Sequence, residues 1–356
     1  MVKQKLGVAL VGLDNWYHAF PFAQVLGQLP SARLVAISDW SAEKAKAAAE
    51  RFGAERWTTD HLALVDDPAV DAIVLTVYTA AHAEYGARAA RQGKHILCDK
   101  PIEVSTEQAD RLLAAVQASG VTLMMSFPRR INPAYQKARE LIRAGTIGEP
   151  TCVLETGRWP LPRVEPERWE VGWYADAGKS GGGAFLDHGV HLVDALRFLL
   201  DDEVVEVQGT MAKLVHKQLS VEDFGVATMR FRRGTVATIE STWTVVPPGQ
   251  VVNDLYIAGT RGDMTLSRTS PQLVVHADTP DIDGTKSFDF PVGPIMAVVA
   301  GHNIQIDLYN KVVSTFVEAA LTGVPVPATG LDGRAATAVC EAIYRAAESG
   351  QTVELP

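Results

Sequence analysis

The sequence predicts an α/β protein in two parts. A doubly wound parallel sheet is expected over residues 1–125, and an α+β domain with a large open, mostly antiparallel sheet over residues 126–356. Three observations predict this. Short apolar runs alternate with helix-like stretches in the first third of the chain. Beyond Ser126 candidate strands are no longer separated by helices. The 356 residues also exceed the roughly 250–300 at which a single core stops growing.

The first strand is Leu6 to Val11 and the second Arg33 to Ser38, apolar runs suited to a sheet buried on both faces. A helix between them completes a βαβ unit, with Pro21 easiest to accommodate as its first residue. Ala72 to Val77 and His95 to Cys98 supply two more strands. Ser41 caps an alanine-rich helix that stops before Gly53, and Ser105 with Gln108 forms a capping box for a helix that stops before Gly120. In the second half Asn132-Pro133 opens a helix running to Gly145. Strands are then expected at Thr151 to Thr156, Val204 to Val215, Phe224 to Phe231, Thr235 to Val246, Asp254 to Ala258 and Asp263 to Ser267, with Gly234 turning a hairpin. Alternation puts Ala237, Ile239, Ser241, Trp243 and Val245 on one face, fit for a core or for a partner. Helices Asn303 to Thr322 and Asp332 to Ser349 close the chain.

Composition narrows the function. With 47% apolar and 21% charged residues the chain is an ordinary globular protein, and its net charge of -9 argues against non-specific binding to nucleic acid or anionic membranes. Cys98, Cys152 and Cys340 are odd in number and widely scattered, with no CxxC spacing, which points to a reducing compartment. No run approaches the ~18 apolar residues of a membrane span and no export signal is read, so the cytoplasm is the expected location.

In a doubly wound sheet ligands bind at the carboxyl ends of the strands, and a dinucleotide asks for G-x-G-x-x-G or G-x-G-x-x-A after the first. Here the turn reads Gly12-Leu13-Asp14-Asn15-Trp16-Tyr17, which keeps one glycine. Asp14 puts a carboxylate where a pyrophosphate wants a bare amide, and Tyr17 fills the close-packing position. Asp39, at the end of the second strand, is placed to bond a ribose 2'-hydroxyl and to disfavour a 2'-phosphate, so NAD is expected before NADP. Acids after strands also serve as plain helix caps.

The chemistry is expected at Gly181-Gly182-Gly183 and the helix that follows. Asp187 and His191 are four residues apart and so project from one face of a helix, and His188 and His191, three apart, are also neighbours. The bland alternative is an acid complementing the helix dipole beside histidines that pack. Upstream, the long segment 157–180 carries Arg158, Trp159, Arg163, Arg168, Trp169, Trp173 and Tyr174. Aromatic faces suit the apolar side of a sugar ring and arginines suit carboxylate or phosphate. Arg158, Trp159, Trp173 and His188 are therefore the candidate substrate residues, and His302 is a further possible site residue.

Taken in order, Asp99-Lys100-Pro101, the Gly-Gly-Gly-x-x-x-Asp-x-Gly-x-His pattern from Gly181 to His191, and Thr329 to Arg334 resemble the Gfo/Idh/MocA family of glucose-fructose oxidoreductase and inositol dehydrogenase. The likeness spans nearly the whole chain. It implies a Rossmann domain and a catalytic set of Lys100, Asp187 and His191, with Asp99 in place of the family's glutamate. It also implies hydride transfer between nicotinamide and a carbinol carbon of a sugar, sugar acid or polyol, and a homo-oligomer, dimer or tetramer, formed through the open sheet. Gly12, Asp14, Asn15, Asp39, Tyr78, Thr79, His82, Asp99 and Lys100 would line the cofactor. Where the family often has Thr-Pro-Asn, this chain has Val77-Tyr78-Thr79, followed by the familiar His82. With Asp14 and Tyr17 these departures leave two rivals open: a non-redox lyase, hydrolase or isomerase, in which Asp187, His188 and His191 hold a metal, and a non-catalytic binding subunit.

Overall fold

In the computed structural model the apolar runs of the first third pair into one parallel sheet. The structure describes residues 5–164, 170–246, 251–267, 272–280, 282–290, 295–299 and 302–356, with the backbone alone for 295–299 and 302–305. Strands β1 (Leu6–Val11), β2 (Ala32–Ser38), β3 (Arg56–Thr58), β4 (Ala72–Leu75), β5 (His95–Cys98) and β6 (Leu123–Met125) stand in the order β3-β2-β1-β4-β5-β6. Helices α1 (Trp16–Gln28), α2 (Ala42–Phe52), α3 (His61–Asp66), α4 (His82–Arg91) and α5 (Thr106–Ser119) connect them. The chain winds outward one way from β1 through β3 and the other way from β4. The crevice at the carboxyl ends of β1 and β4 is therefore the switch point where such sheets bind ligands.

Two short strands, β3 and β6, were not expected, and the third predicted strand stops at Leu75 rather than Val77. A second difference concerns α1, which starts at Trp16 and carries Pro21 inside it. A proline there cannot donate to the carbonyl four residues back. That carbonyl belongs to Tyr17, and it accepts a bond from the Tyr309 hydroxyl at 3.4 Å instead.

After α6 (Pro133–Arg143) comes β7 (Pro150–Arg158), then α7 (Ala177–Ser180) and the long α8 (Ala184–Leu200). The strands that follow are β8 (Val204–Ala212), β9 (Phe224–Phe231), β10 (Val236–Thr242), β11 (Val252–Gly259), β12 (Gly262–Ser267), β13 (Gln272–Thr279) and β14 (Ile282–Asp289). A two-stranded ribbon, β15 (Ile295–Val299) and β16 (His302–Gln305), leads into α9 (Ile306–Thr322), α10 (Gly330–Ser349) and β17 (Val353–Glu354). The second sheet is mixed, in the order β14-β13-β12-β11-β7-β10-β9-β8-β17, with only β7 and β10 parallel. The expected strand to Val215 ends at Ala212 because the Asp223 carboxylate accepts the amides of Leu214, Val215 and His216 at 2.6–2.9 Å and bends the chain. Ala237, Ile239, Ser241 and Trp243 all point into the core, so that face of β10 serves packing and not a partner.

One continuous apolar core joins α4 and α5 on the first sheet to α8, α10 and the inner face of the second. The opposite face of the first sheet is covered by α1, α2 and α9, where Val312, Val313, Phe316 and Val317 pack with Phe22 and Leu26. The second half of the chain therefore returns to complete the first domain, beyond the boundary expected at 125/126. Among the described residues no helix is long and apolar enough to cross a membrane, and Cys98, Cys152 and Cys340 are free.

If α9 belongs to the first core, Phe316→Ala should lower the unfolding free energy by roughly 3–5 kcal/mol, as a buried aromatic does when truncated. Leu331→Ala, at an exposed position, should stay within about 0.5 kcal/mol. Urea denaturation reads both; equal effects would contradict the packing.

Candidate active site

The amino terminus of α8 is built from backbone. Gly183 donates to both carboxylate oxygens of Glu222 at 2.9 and 3.0 Å, Phe185 donates to the same carboxylate at 3.0 Å, and the Tyr344 hydroxyl adds a bond at 2.7 Å. A Cβ on Gly183 would stand 1.9 Å from the Glu222 carbonyl oxygen, so the glycine is required by close approach. Glu222 takes the capping role that the bland reading gave to Asp187. Nothing in the local sequence marks Glu222, which lies 39 residues downstream.

Relieved of capping, Asp187 faces the other domain. Lys100, delivered by the turn after β5, donates its ammonium to the Asp187 carboxylate and, at 2.8 Å, to the Asp187 carbonyl. The Trp243 indole and His188 Nε2 both lie 3.3 Å from the other carboxylate oxygen. Burial opposes ionisation of Asp187, but the Lys100 and His188 charges outweigh it and hold the carboxyl well below its usual range. His191, one turn on, sits edge-on to Phe127 at 5.8 Å. Burial, and then the positive charges of Lys100 and Arg129, press its pKa well down, so the ring is neutral near pH 7. His188 is lowered to about 4, chiefly by burial. Arg129 is itself held by Glu155 and by Asn253 at 3.1 Å. Lys100 and Asp187 thus meet at the domain seam, with His191 one turn further along α8.

On the nucleotide side the expected residues are placed differently from one another. Asp99 is buried, accepting from Asn15 Nδ2 at 2.6 Å, His18 Nδ1 at 2.7 Å and its neighbour's amide. Asn15 is thereby turned inward rather than toward a cofactor, and its Oδ1 accepts the Tyr174 hydroxyl at 3.0 Å. His82 is also buried, both ring nitrogens set against carbonyls, Pro101 at 2.9 Å and Val77 at 3.0 Å. It ties the end of β4 to the lysine turn and leaves no nitrogen for a cofactor. Gly12, at φ +83°, packs so tightly against Val77 that a Cβ would stand 2.3 Å from it. Thr79 is buried, while Tyr78 donates its amide to Asp14 at 3.1 Å. Asp14 also accepts the exposed Trp40 indole at 3.0 Å, and so bridges the ends of three strands. Asp39 accepts the Ser41 amide at 2.8 Å, the cap-like contact weighed above.

The segment after β7 closes over the β1–α1 turn. Trp173 donates its indole to the Asp14 carbonyl at 3.0 Å, Trp16 donates to the Arg163 carbonyl at 2.8 Å, and the Arg163 amide donates to the Tyr17 hydroxyl at 3.3 Å. Tyr17, in place of the last glycine, and its neighbour Trp16 are thus docking points for the other domain, which meets Asp14 only at its backbone carbonyl. Trp159 stacks on His188 with centroids 4.9 Å apart, at the reaction centre. Trp173 is drawn to the nucleotide side instead. Arg158 does not join the site: strand alternation puts it on the open face of the sheet, where Glu240 accepts both of its bonds at 2.7 and 2.9 Å. Arg168, Trp169 and the side chain of His302 lie outside the described residues. The metal alternative finds Asp187 already paired with an ammonium and an indole. Among the described residues no group of three or more acids, histidines or cysteines is set to hold a metal ion.

Comparison with known proteins agrees with this geometry. Residues 6–127 match the model of an oxidoreductase family with an NAD-binding Rossmann fold, and residues 135–265 match the GFO/IDH/MocA C-terminal domain. The chain is 30% identical to an uncharacterized oxidoreductase, YrbE, of Bacillus subtilis, covering 93% of this chain and 92% of that one. It is 26% identical to myo-inositol 2-dehydrogenase of Thermotoga maritima, covering 99% and 98%. Among solved structures, GenD2 from gentamicin A biosynthesis in complex with NAD superposes with a TM-score of 0.83 at 26% identity, covering 100% of this chain and 98% of that one.

Removing the carboxylate strands a buried ammonium, so Asp187→Asn should cost roughly 3–5 kcal/mol of stability at pH 7. The group's pKa is depressed on folding, so its contribution is complete above the ordinary value of 3.8 and is lost as pH falls below it. Unfolding curves of wild type and variant should therefore converge in acid. A constant gap down to the acid limit would contradict the pairing.

Proposed function

Because the chain belongs to the GFO/IDH/MocA family of NAD-binding oxidoreductases, we propose that it is an NAD-dependent dehydrogenase of a sugar, sugar acid or polyol. The observation that carries the reading is the meeting of Lys100 with Asp187, one turn before His191, across the seam of the two domains.

The switch-point crevice suits a dinucleotide. Asn15, the N-cap residue of α1, spends its side chain on Asp99 and Tyr174 and none of it on the helix amides. The positive end of α1 is thus left to a phosphate. In this reading the backbone of the turn Gly12 to Tyr17, with Asp39, Tyr78 and Thr79, would hold the nucleotide, and Asp39 would favour NAD over NADP. Bound there, nicotinamide supplies hydride transfer at its C4. The chain's own residues handle the proton. Neutral His191 accepts it from the substrate hydroxyl as general base. The Lys100 ammonium, held by Asp187, favours the alkoxide that develops. Trp159, backed by His188, offers an aromatic face to the apolar side of a sugar ring. The open face of the second sheet, where Leu154 and Tyr256 are exposed, is the surface this reading gives to self-association.

Purified protein should reduce NAD with a panel of inositols and aldoses, and NADH should quench its fluorescence at lower concentration than NADPH. His191→Ala should lower kcat about 100- to 10,000-fold. Absence of nucleotide binding would overturn the reading. Asp14 adds a pH signature. Burial raises its carboxyl to about 6 against the opposing Trp40 bond, and a phosphate alongside would raise it further. Binding then takes up a proton, so affinity should rise as pH falls toward about 6 and level off below it. Asp14→Asn should bind more tightly at pH 8 and lose that dependence; an unaltered profile would place the phosphates elsewhere.

A further inference from the structure

The reading above makes Lys100 catalytic, and what aims it is the residue before it. Asp99 is 1% exposed, and a carboxylate so buried needs donors around it. The Lys100 amide reaches its Oδ1 at 2.8 Å, so the carboxylate grips the backbone of the very residue whose ammonium must arrive at Asp187. The carboxylate itself is gripped from α1, which follows β1, on the far side of β4 from β5 in the sheet. Asn15 takes Oδ2 at 2.6 Å and His18 Nδ1 takes Oδ1 at 2.7 Å.

These two donors differ. Asn15 is shared with Tyr174 of the other domain, whereas His18 Nε2 meets no protein partner among the described residues. Among the described residues the His18 ring lies against Phe22 and Tyr309, at 6.0 and 5.8 Å. Its Nδ1 stands 2.7 Å from Asp99 and 3.5 Å from Asn15 Nδ2, so its short hydrogen bond is the one to Asp99. The ionised acceptor requires Nδ1 to carry the proton, which fixes the tautomer. Nothing in the sequence flags this histidine, since the motif residues lie 81 positions away.

We propose that His18 is a positioning residue for the Lys100 ammonium: it donates from Nδ1 to Asp99, Asp99 holds the Lys100 amide, and Nζ is thereby set on Asp187. The proposal rests on the dehydrogenase reading for its consequence in turnover, but not for its geometry.

The test uses the full chain. His18→Phe keeps an aromatic ring and removes the donor, while His18→Asn returns an amide N–H at the Nδ1 place. His18→Phe should lower kcat about 10- to 100-fold with substrate KM little changed, as small misplacement of a catalytic group does, and His18→Asn should restore most of it. Without any substrate, acetic anhydride should acetylate Lys100 about tenfold faster in His18→Phe, read by peptide mass spectrometry, because the ammonium is released from its partner. Should His18→Phe not fold, His18→Gln takes its part, its amide lying at the Nε2 place and leaving Asp99 unserved. Wild-type labelling of Lys100 in a folded donor-deficient variant overturns the proposal. Faster labelling in a protein that reduces no nucleotide would sink the function and leave the positioning role standing.

Discussion

The ion pair between Lys100 and Asp187 is the constraint on which the site depends, because its members belong to different domains. An ammonium that is 5% exposed cannot remain charged without a partner, so the pair fixes how the α8 helix meets the carboxyl end of β5 in the parallel sheet. It also closes a ring of contacts. Asp187 accepts the Trp243 indole, Trp243 lies edge-on to Tyr174 at 6.4 Å, Tyr174 bonds Asn15, and Asn15 bonds Asp99, which adjoins Lys100. Each link crosses the seam or anchors a residue that does. Such a ring is stiffer than its separate bonds, since no member moves without breaking a buried partner.

Burial first, and then the charges in this ring, explain the state of the imidazoles. Lys100 and Arg129 gather positive charge near α8, and the charge of the Asp187 carboxylate is largely answered by Lys100. His188 and His191 are therefore kept neutral, as acceptors. A neutral imidazole beside a fixed ammonium suits a reaction in which a hydroxyl gives up its proton while negative charge grows on its oxygen.

Much of this was legible in the sequence. The parallel sheet and the apolar α8 with Asp187 and His191 on one face follow from periodicity, caps and motif spacing, which are local or nearly so, and Lys100 was implied by the family resemblance. What was hidden depends on side chains that meet only after folding. Arg158 looked like a substrate residue by composition, but a strand alternates, and its position turned it toward Glu240. Asp14 and Tyr17 read as damage to a phosphate turn; three-dimensionally Tyr17 and Trp16 are where Arg163 docks, while Asp14 receives Trp173 on its backbone carbonyl and turns its carboxylate to Tyr78 and Trp40. Glu222 and His18 carried no signal, since each acts on a group that chain distance separates from it by dozens of residues. Pro21 was misplaced because its missing amide is compensated by a hydroxyl from α9, nearly three hundred residues on.

The central claim is that Lys100 and Asp187 work as one unit. A double-mutant cycle of Lys100→Met and Asp187→Asn on kcat/KM for polyol oxidation tests it most directly. The account predicts that the double variant is about as slow as the slower single one, each change having already undone the other's partner. Losses that simply multiply would show two independent residues and contradict it.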